Sequence, residues 1–200
     1  MKFIGVTGGV GAGKSRILEY IREHYPCEIY LADEVAHLVK QPGTACFDAL
    51  VGLLGEEVLD RDGQIHKGRM ADKIFADPEL LGQVNGMIHP AVKDFLLERL
   101  ETAREKGDVG LFFVEAALLI ECGYRDLVDE MWYIYADEEV RRDRLKKRGY
   151  DQEKIARIMS SQLSDEMFRA NCDFVIDNSA SLEESFGQID RKLEAFTWQE

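Results

Sequence analysis

The sequence lacks any apolar run long enough to cross a lipid bilayer, because no stretch approaches the roughly 18 apolar residues of a membrane span. The apolar run near the N-terminus is also shorter than the core of a signal peptide. Only four cysteines are present, far apart, with no C-x-x-C pair and no zinc-ligand spacing. Two disulfides are possible, but we expect four reduced, buried thiols in a cytoplasmic protein without a membrane partner.

Positive charge is also scarce. The 200 residues include 25 lysines and arginines against 38 acidic residues, which gives a net charge of -13. Such a surface repels nucleic acid, so we expect no nucleic-acid partner. It also repels phosphorylated ligands. Any phosphate site therefore has to be built locally, from backbone amides and a few clustered cations.

Five short apolar runs have the composition of β-strands, being rich in Ile, Val, Phe and Tyr. They lie at residues 2–7, 28–32, 109–115, 131–136 and 172–177. Because most of them lack strict alternation, we expect burial on both faces, as in a parallel sheet. Helical segments follow the first, fourth and fifth runs, at 15–25, 137–148 and 181–196. This alternation predicts an α/β fold, a doubly wound five-stranded parallel sheet flanked by helices.

Two blocks are too long to be simple crossovers between strands. About 75 residues separate the second and third strands. Four segments in this block have helical periodicity, at 45–55, 68–77, 78–89 and 90–107. We therefore predict a helical insertion at about 33–107 within a single domain of residues 1–200, with a break between two helices at Pro90. A second block, about 138–170, is predicted to hold two or three short helices.

Residues 60–63, D-R-D-G, match the D-x-x-G pattern of nucleotide switch segments. In switch proteins this pattern follows a strand, whereas here it lies inside the predicted helical insertion. The composition is also typical of a turn. We therefore expect a turn at this position.

Residues 5–15, GVTGGVGAGKS, contain five glycines between an apolar run and an amphipathic segment. Gly8, Gly13, Lys14 and Ser15 satisfy G-x-x-x-x-G-K-[ST], the phosphate-binding loop, or P-loop. Successive N–H groups and the helix N-terminus bind a phosphate there, and the glycines leave space for it. Lys14 then contacts the β- and γ-phosphates, and Ser15 ligates Mg²⁺. The alternative, a glycine-rich turn without a ligand, is disfavoured by the strand and helix on either side.

The rest of the sequence favours a small-molecule kinase among P-loop proteins. It has no N-K-x-D run for reading guanine and no L-S-G-G-Q-like signature. Residues 138–148 hold six basic and three acidic residues, with Arg141, Arg144 and Arg148 on one helical face. Such arginines can hold a polyphosphate and neutralise transition-state charge. A solvated helix face is the alternative, but the P-loop and Arg157 in the next helix favour phosphate binding.

Acidic side chains at strand ends supply the remaining chemistry. Asp33 follows the second strand, and the carboxyl ends of parallel strands gather on the side that carries the P-loop. Its carboxylate can accept a proton from an acceptor hydroxyl, although capping the following helix is at least as common a role for aspartate. Glu115, which ends the third strand, can hold the Mg²⁺ shell through water. Its alternative is an exposed strand terminus.

Segments along nearly the whole chain resemble one family. They are TGGVGAGKS at 7–15, ADEVAHLV at 32–39, IHPAV at 88–92, AALLIE at 116–121, RLKKR at 144–148, ARIMSSQ at 156–162 and CDFVIDN at 172–178. In this order they are similar to the dephospho-CoA kinases. The resemblance implies a P-loop kinase that uses Mg²⁺ and ATP to phosphorylate the ribose 3′-hydroxyl of dephospho-CoA, the last step of coenzyme A biosynthesis. It also implies that the insertion at about 33–107 binds CoA and that the block at about 138–170 is a mobile lid.

The resemblance further implies roles for individual residues. Catalytic roles fall on Asp33, Lys14 and Arg144. ATP-binding roles fall on Gly9, Val10, Gly11, Ala12, Gly13, Lys14, Ser15, Arg16, Arg144, Arg148 and Asn178. To these we add Arg141, whose assignment rests on its helical spacing alone. Binding of dephospho-CoA falls on Asp33, His89, Lys67, Leu118 and Arg157, and Mg²⁺ binding on Ser15 and Glu115. A lone histidine at a helix boundary is, however, more often structural.

The chain departs from the family pattern at several positions. The family usually has proline at Ala117, aspartate at Glu115 and threonine at Arg16, and Lys67 stands at a basic position. Alanine loosens a loop that proline would fix, whereas the charge kept at Glu115 preserves a Mg²⁺ role. Two alternatives stay open: a P-loop kinase for another nucleoside or nucleotide acceptor, and a nucleotide-binding module without phosphoryl transfer.

Trp198 is assigned to the C-terminal tail.

Overall fold

Five strands form one sheet in the computed structural model, which describes residues 1–197, so Trp198 lies outside the described residues. They are β1 (Lys2–Thr7), β2 (Cys27–Leu31), β3 (Leu111–Glu115), β4 (Glu130–Tyr135) and β5 (Phe174–Asp177). The strand order is β2-β3-β1-β4-β5. β1 pairs in parallel with β3 and β4, and β4 pairs in parallel with β5. The predicted five-stranded parallel α/β fold is confirmed, and the strand that leads into the P-loop is the middle one.

Aromatic side chains from different strands pack against one another on the faces of the sheet. The rings of Phe3 and Phe112 meet edge to face with centroids 5.4 Å apart. Trp132, which is fully buried, makes similar contacts with Phe113 at 5.6 Å and Phe174 at 5.2 Å. Each buried side chain of this size contributes about 1.5–3 kcal/mol. Packing of these apolar side chains therefore holds the strands in place. It also fixes the strand ends at which the loops of the candidate site begin.

Helices connect the strands. They are α1 (Lys14–His24), α2 (Ala32–Leu38), α3 (Ala45–Leu54), α4 (Lys67–Phe75), α5 (Pro78–Lys106), α6 (Glu138–Lys147), α7 (Gln152–Ser160), α8 (Asp165–Asn171) and α9 (Leu182–Thr197). The chain divides into two compact units, Met1–Ile29 with the chain from Lys106 onward, and Tyr30–Glu105. Among the described residues, no helix is both long and apolar enough to span a membrane. Each of the four cysteines is a free thiol, with Cys46 buried and the others partly buried.

In the first unit, a carboxylate on α9 holds the helix that follows the P-loop. Asp190 accepts hydrogen bonds from the hydroxyls of Tyr20 and Tyr25, at 2.8 and 2.7 Å. Burial and the bond to Asp190 raise the pKa of Tyr25 above its ordinary value. The Tyr20 ring also stacks on Phe186 of α9, with centroids 3.9 Å apart. α1 is therefore tied to α9 by polar and aromatic contacts together.

Replacing Asp190 with alanine should lower the free energy of unfolding by about 1.5–3 kcal/mol, because two hydroxyls lose a charged acceptor. Urea unfolding followed by circular dichroism measures the effect. Glu183→Gln, on an exposed part of the same helix, is the control and should change stability by less than about 0.5 kcal/mol. Equal stability of Asp190→Ala and the parent chain would contradict the structural role.

The second unit contains the helices of the long block between β2 and β3. The N-cap of α3 is Thr44, whose hydroxyl accepts from the N–H of Phe47 at 3.1 Å. In the segment 60–63, the Asp60 side chain accepts from the N–H groups of Asp62 and Gln64, at 2.9 and 3.0 Å. This segment is a turn, as the sequence predicted.

The predicted helix break at Pro90 is wrong, because α5 runs from Pro78 to Lys106 with Pro90 inside it. A proline in a helix interior costs about 3 kcal/mol. A stripe of buried side chains at four-residue spacing crosses the proline: Val84, Ile88, Val92, Leu96 and Leu100. Burial of these five side chains outweighs the cost at about 1.5–3 kcal/mol each. Tertiary packing thus keeps the helix continuous where the local sequence signal favours a stop.

Candidate active site

The loop between β1 and α1 presents backbone N–H groups that can bind an anion. β1 ends at Thr7 and α1 begins at Lys14. Within residues 1–197, the N–H groups of Gly11, Gly13 and Ser15 donate to no protein acceptor. They lie at the N-terminal end of α1, where the helix carries a partial positive charge. This arrangement suits a phosphate group.

Two of the loop glycines are required by the protein's own atoms. A Cβ added to Gly8 would collide with the carbonyl oxygen of Ile134, and one added to Gly13 would collide with the side-chain amide of Asn178. Gly13 also has a φ of 97°, in the left-handed region that costs other residues about 1–2 kcal/mol. Clearance for a ligand was the only reason predicted for these glycines, and clearance for the protein's own atoms is a second reason.

The Lys14 ammonium is held between the loop and the end of β3. Its Nζ donates to the carbonyl oxygen of Gly8 at 2.7 Å and lies 3.5 Å from Oε1 of Glu115. The two side chains are only 13% and 19% exposed, so salt screens this pair less than a surface pair. Ser15 is exposed at the start of α1. The Lys14 ammonium and the Ser15 hydroxyl thus follow β1, and the Glu115 carboxylate lies at the end of the neighbouring strand β3.

Arg144 and Asn178 fix the backbone of the P-loop. The Arg144 guanidinium donates to the carbonyl oxygens of Ala12, at 3.1 Å, and Asn178, at 2.8 Å. The Asn178 side chain is fully buried. Its Nδ2 donates to Ala12 at 2.7 Å, and its Oδ1 accepts from the Ser185 hydroxyl at 2.9 Å. Asn178 therefore positions the loop, and direct contact of its side chain with ATP stays a prediction.

Arg141 and Gln162 form a second set of contacts with the loop. Nε of Arg141 donates to the carbonyl oxygen of Val10 at 3.0 Å, and its Nη2 donates to Oε1 of Gln162 at 2.5 Å. The same Gln162 oxygen accepts from the Val10 N–H at 3.2 Å. Burial lowers the pKa of Arg141. Arg141, which was selected from its helical spacing, thus contacts the P-loop. Gln162 also contacts the loop but was not predicted from the sequence.

The only sequence signal for Gln162 was its place at the end of the segment ARIMSSQ. An amide carries no charge and titrates at no useful pH, so residue type gave no reason to select it. Its importance follows from the pairing with Val10, 152 positions away in the chain.

The remaining predicted residues of the first unit are more exposed. Arg148 faces solvent but lies close enough to Arg144 to lower its pKa, after the larger effect of burial. Arg157 on α7 is exposed. Arg16 pairs with Glu19 on the exposed side of α1, at 2.5 Å. Leu118, after β3, is 55% exposed. Their ligand contacts stay predictions.

In the second unit, Asp33 lies in the first turn of α2 and is exposed. The N-cap of α2 is Leu31 and no side chain caps it, so the alternative role of Asp33 as a helix cap is wrong. Lys67 is the first residue of α4 and is also exposed. His89 lies on α5, next to Pro90, and is exposed. The chemical roles of these three residues stay predictions.

Replacing Gln162 with alanine should raise the KM for ATP by about tenfold, because a hydrogen bond to a charged partner is worth about 1.5–3 kcal/mol. The Val10 N–H would lose its acceptor, and so would Nη2 of Arg141. Steady-state kinetics at saturating acceptor measures the change. Gln152→Ala, at the exposed start of α7, is the control. An unchanged KM in Gln162→Ala would show that the contact does not help to bind ATP.

Comparison with known proteins gives a consistent result. The family model described as dephospho-CoA kinase matches residues 2–184. The dephospho-CoA kinase of Streptococcus mutans is 33% identical over 195 residues, covering 96% of both chains. That of Aquifex aeolicus is 33% identical over 198 residues, covering 98% of both chains.

A solved structure agrees at the level of the fold. The dephospho-CoA kinase from Campylobacter jejuni superposes with a TM-score of 0.72 over 97% of this chain and 96% of that one, at 20% identity. The sequence matches extend through the P-loop, the block before β3 and the helices after β4. The chain therefore belongs to the dephospho-CoA kinase family.

Proposed function

We propose that this protein transfers the γ-phosphate of ATP to the ribose 3′-hydroxyl of dephospho-CoA, releasing ADP and CoA. The observation that carries the proposal is the match to dephospho-CoA kinases at 33% identity over nearly the whole chain. The P-loop geometry supports it, since the loop has the N–H groups and the lysine that a nucleotide polyphosphate needs.

The loop and its arginines would hold ATP. The N–H groups of Gly11, Gly13 and Ser15 are available to phosphate oxygens, and Lys14 can exchange its contact with the Gly8 carbonyl for one with the β- and γ-phosphates. Arg144 already donates to the loop backbone. We expect its guanidinium to stabilise charge that develops on the transferring phosphate.

The donor set also fits Mg²⁺, which prefers oxygen ligands and keeps several waters. The Ser15 hydroxyl would ligate the ion directly, and the Glu115 carboxylate would hold its water shell. When bound, the ion neutralises charge on the phosphates. Within the described residues, no group of three or more His, Cys, Asp and Glu side chains could hold a metal ion. This agrees with a site in which phosphates supply the other ligands.

Asp33 would act as the general base. Its carboxylate accepts the proton of the 3′-hydroxyl as that oxygen forms a bond to the γ-phosphorus, and the bond to the β–γ bridging oxygen breaks to leave ADP. His89, Lys67, Leu118 and Arg157 would bind dephospho-CoA. We also propose a cytoplasmic location, which the four free thiols support.

The proposal is tested by an ADP-release assay with a panel of acceptors. Turnover with dephospho-CoA, and a product whose new phosphate monoester is placed on the ribose 3′ oxygen by NMR, is the expected result. Preferred turnover of adenosine monophosphate or a free nucleoside would indicate a kinase for another acceptor. ATP binding without turnover of any acceptor would indicate a nucleotide-binding module.

A further inference from the structure

Ser185 is a buried residue on α9 that the sequence analysis did not select. It has no exposed surface, and the same is true of Asn178. Buried polar side chains are hydrogen-bonded, because an unpaired polar atom away from water is unfavourable. The partners of Ser185 therefore show what its hydroxyl does in the folded chain.

The Ser185 hydroxyl lies near three acceptors and has one proton to donate. Oδ1 of Asn178 is the nearest at 2.9 Å, followed by the carbonyl oxygens of Asp177 at 3.1 Å and Ser181 at 3.2 Å. The Asp177 carbonyl already accepts from Nε2 of Gln188 at 2.9 Å. The Ser181 carbonyl accepts from the Ser185 N–H at 3.4 Å. Among the described residues Oδ1 of Asn178 has no other donor, so the Ser185 proton is directed to it.

The same bond fixes the orientation of the Asn178 amide. A side-chain amide has a donor end and an acceptor end, and rotation by half a turn exchanges them. With Oδ1 held by Ser185, Nδ2 donates to the carbonyl oxygen of Ala12 at 2.7 Å. Rotation would bring Oδ1 against that carbonyl, so that two acceptors would face each other without a proton. Ser185 therefore keeps Asn178 in the orientation that donates to the P-loop.

The start of α9 is held against the end of β5, and this contact places Ser185. Gln188, one helical turn after Ser185, binds Asp177 with both ends of its amide. Its Oε1 accepts from the Asp177 N–H and its Nε2 donates to the Asp177 carbonyl, both at 2.9 Å. The Ser181 hydroxyl accepts from the Glu184 N–H at 3.2 Å and so caps the helix. α9 is thus fixed to β5 immediately before the asparagine that supports the P-loop.

The Ala12 carbonyl shares a peptide unit with the Gly13 N–H, which donates to no protein acceptor among residues 1–197. Because a peptide unit is planar, the direction of the carbonyl fixes the opposite direction of the N–H. The bond from Asn178 thus aims the Gly13 N–H, one of the groups available to a phosphate oxygen. The Arg144 guanidinium donates to the same carbonyl at 3.1 Å, so both donors hold one peptide unit.

We propose that Ser185 is a positioning residue for ATP, because through Asn178 it holds the peptide between Ala12 and Gly13 in the direction that phosphate binding requires. The hydroxyl is fully buried and acts on the nucleotide only through the amide. The inference rests on the part of the proposed function that concerns ATP. It adds α9, a helix far from the nucleotide motif in the sequence, to the support of the P-loop.

Replacing Ser185 with alanine leaves Oδ1 of Asn178 without a donor. The Kd for ATP should rise by about five- to tenfold, whereas the KM for dephospho-CoA stays within about twofold. Calorimetric titration with ATP and Mg²⁺, without acceptor, measures the Kd. Ile189→Val is the matched control, since Ile189 is fully buried on the same helix. It should lower the thermal midpoint by about 2–4 °C without removing a polar contact, and leave the Kd for ATP unchanged.

A double-mutant cycle shows whether Ser185 acts through Asn178. Once Asn178→Ala has removed the amide, the hydroxyl has nothing left to orient, so Ser185→Ala should raise the Kd for ATP no further. An unchanged Kd in Ser185→Ala, an equal rise in Ile189→Val, or a further rise of the same size in the Asn178→Ala background would overturn the inference. If Asn178→Ala does not fold, the comparison of Ser185→Ala with Ile189→Val decides.

Binding and turnover separate this inference from the proposed function. If the parent chain binds ATP but phosphorylates no acceptor, the proposed phosphoryl transfer fails, while the titrations still test Ser185. If the parent chain does not bind ATP, both fail.

Discussion

Replacing Asp33 with asparagine is expected to lower kcat with dephospho-CoA by about 10²–10⁴-fold, the usual contribution of a general base. Asparagine keeps the size of the side chain but cannot take the proton of the 3′-hydroxyl. The KM for ATP should change little, because the proposed role of Asp33 concerns the acceptor hydroxyl and not the nucleotide. The exposed position in the first turn of α2, without a capping bond, should leave folding intact.

Glu34→Gln is the control for this experiment. Glu34 lies in the same turn, is exposed, and carries the same charge near the same helix end. Loss of activity only in Asp33→Asn would support proton transfer by Asp33. Equal loss in both variants would attribute the effect to charge at the start of α2, and full activity of Asp33→Asn would contradict the role of base.

Gly13→Ala is expected to weaken ATP binding by about 100-fold, equivalent to about 2.7 kcal/mol. The added Cβ collides with the Asn178 amide, which is itself buried and bonded to Ala12. The φ of 97° adds strain of about 1–2 kcal/mol for a residue with a side chain. The loop must therefore shift, and its N–H groups lose their common direction. Titration with a fluorescent adenine nucleotide measures the loss.

Gly52→Ala on α3 is the matched control, since a Cβ there meets nothing within 4 Å. It should leave ATP binding unchanged and raise stability by about 0.5–1 kcal/mol, the usual gain of alanine over glycine in a helix. Introducing Gly13→Ala into an Asn178→Ala background separates the two causes, with Asn178→Ala alone as the reference because Asn178 itself supports the loop. A smaller loss of binding in that background than in the parent chain would identify the collision, whereas an equal loss would identify the backbone strain. Normal binding by Gly13→Ala alone would contradict the structural argument.

The sequence by itself determined the sheet and the loop. Unbroken apolar runs predicted all five strands to within a few residues, because strands of a parallel sheet are buried on both faces. G-x-x-x-x-G-K-[ST] located the P-loop, since the motif, its strand and its helix are contiguous in the chain. Helical spacing was enough to select Arg141 and Arg144, which both contact the loop.

Only the tertiary structure decided how the P-loop is supported and where the longest helix continues. The bonds from Asn178 to Ala12 and from Val10 to Gln162 join residues 166 and 152 positions apart. Neither amide has a charge or period that marks it in the sequence. Pro90 stays inside α5 because a buried stripe stabilises the helix on both sides of it.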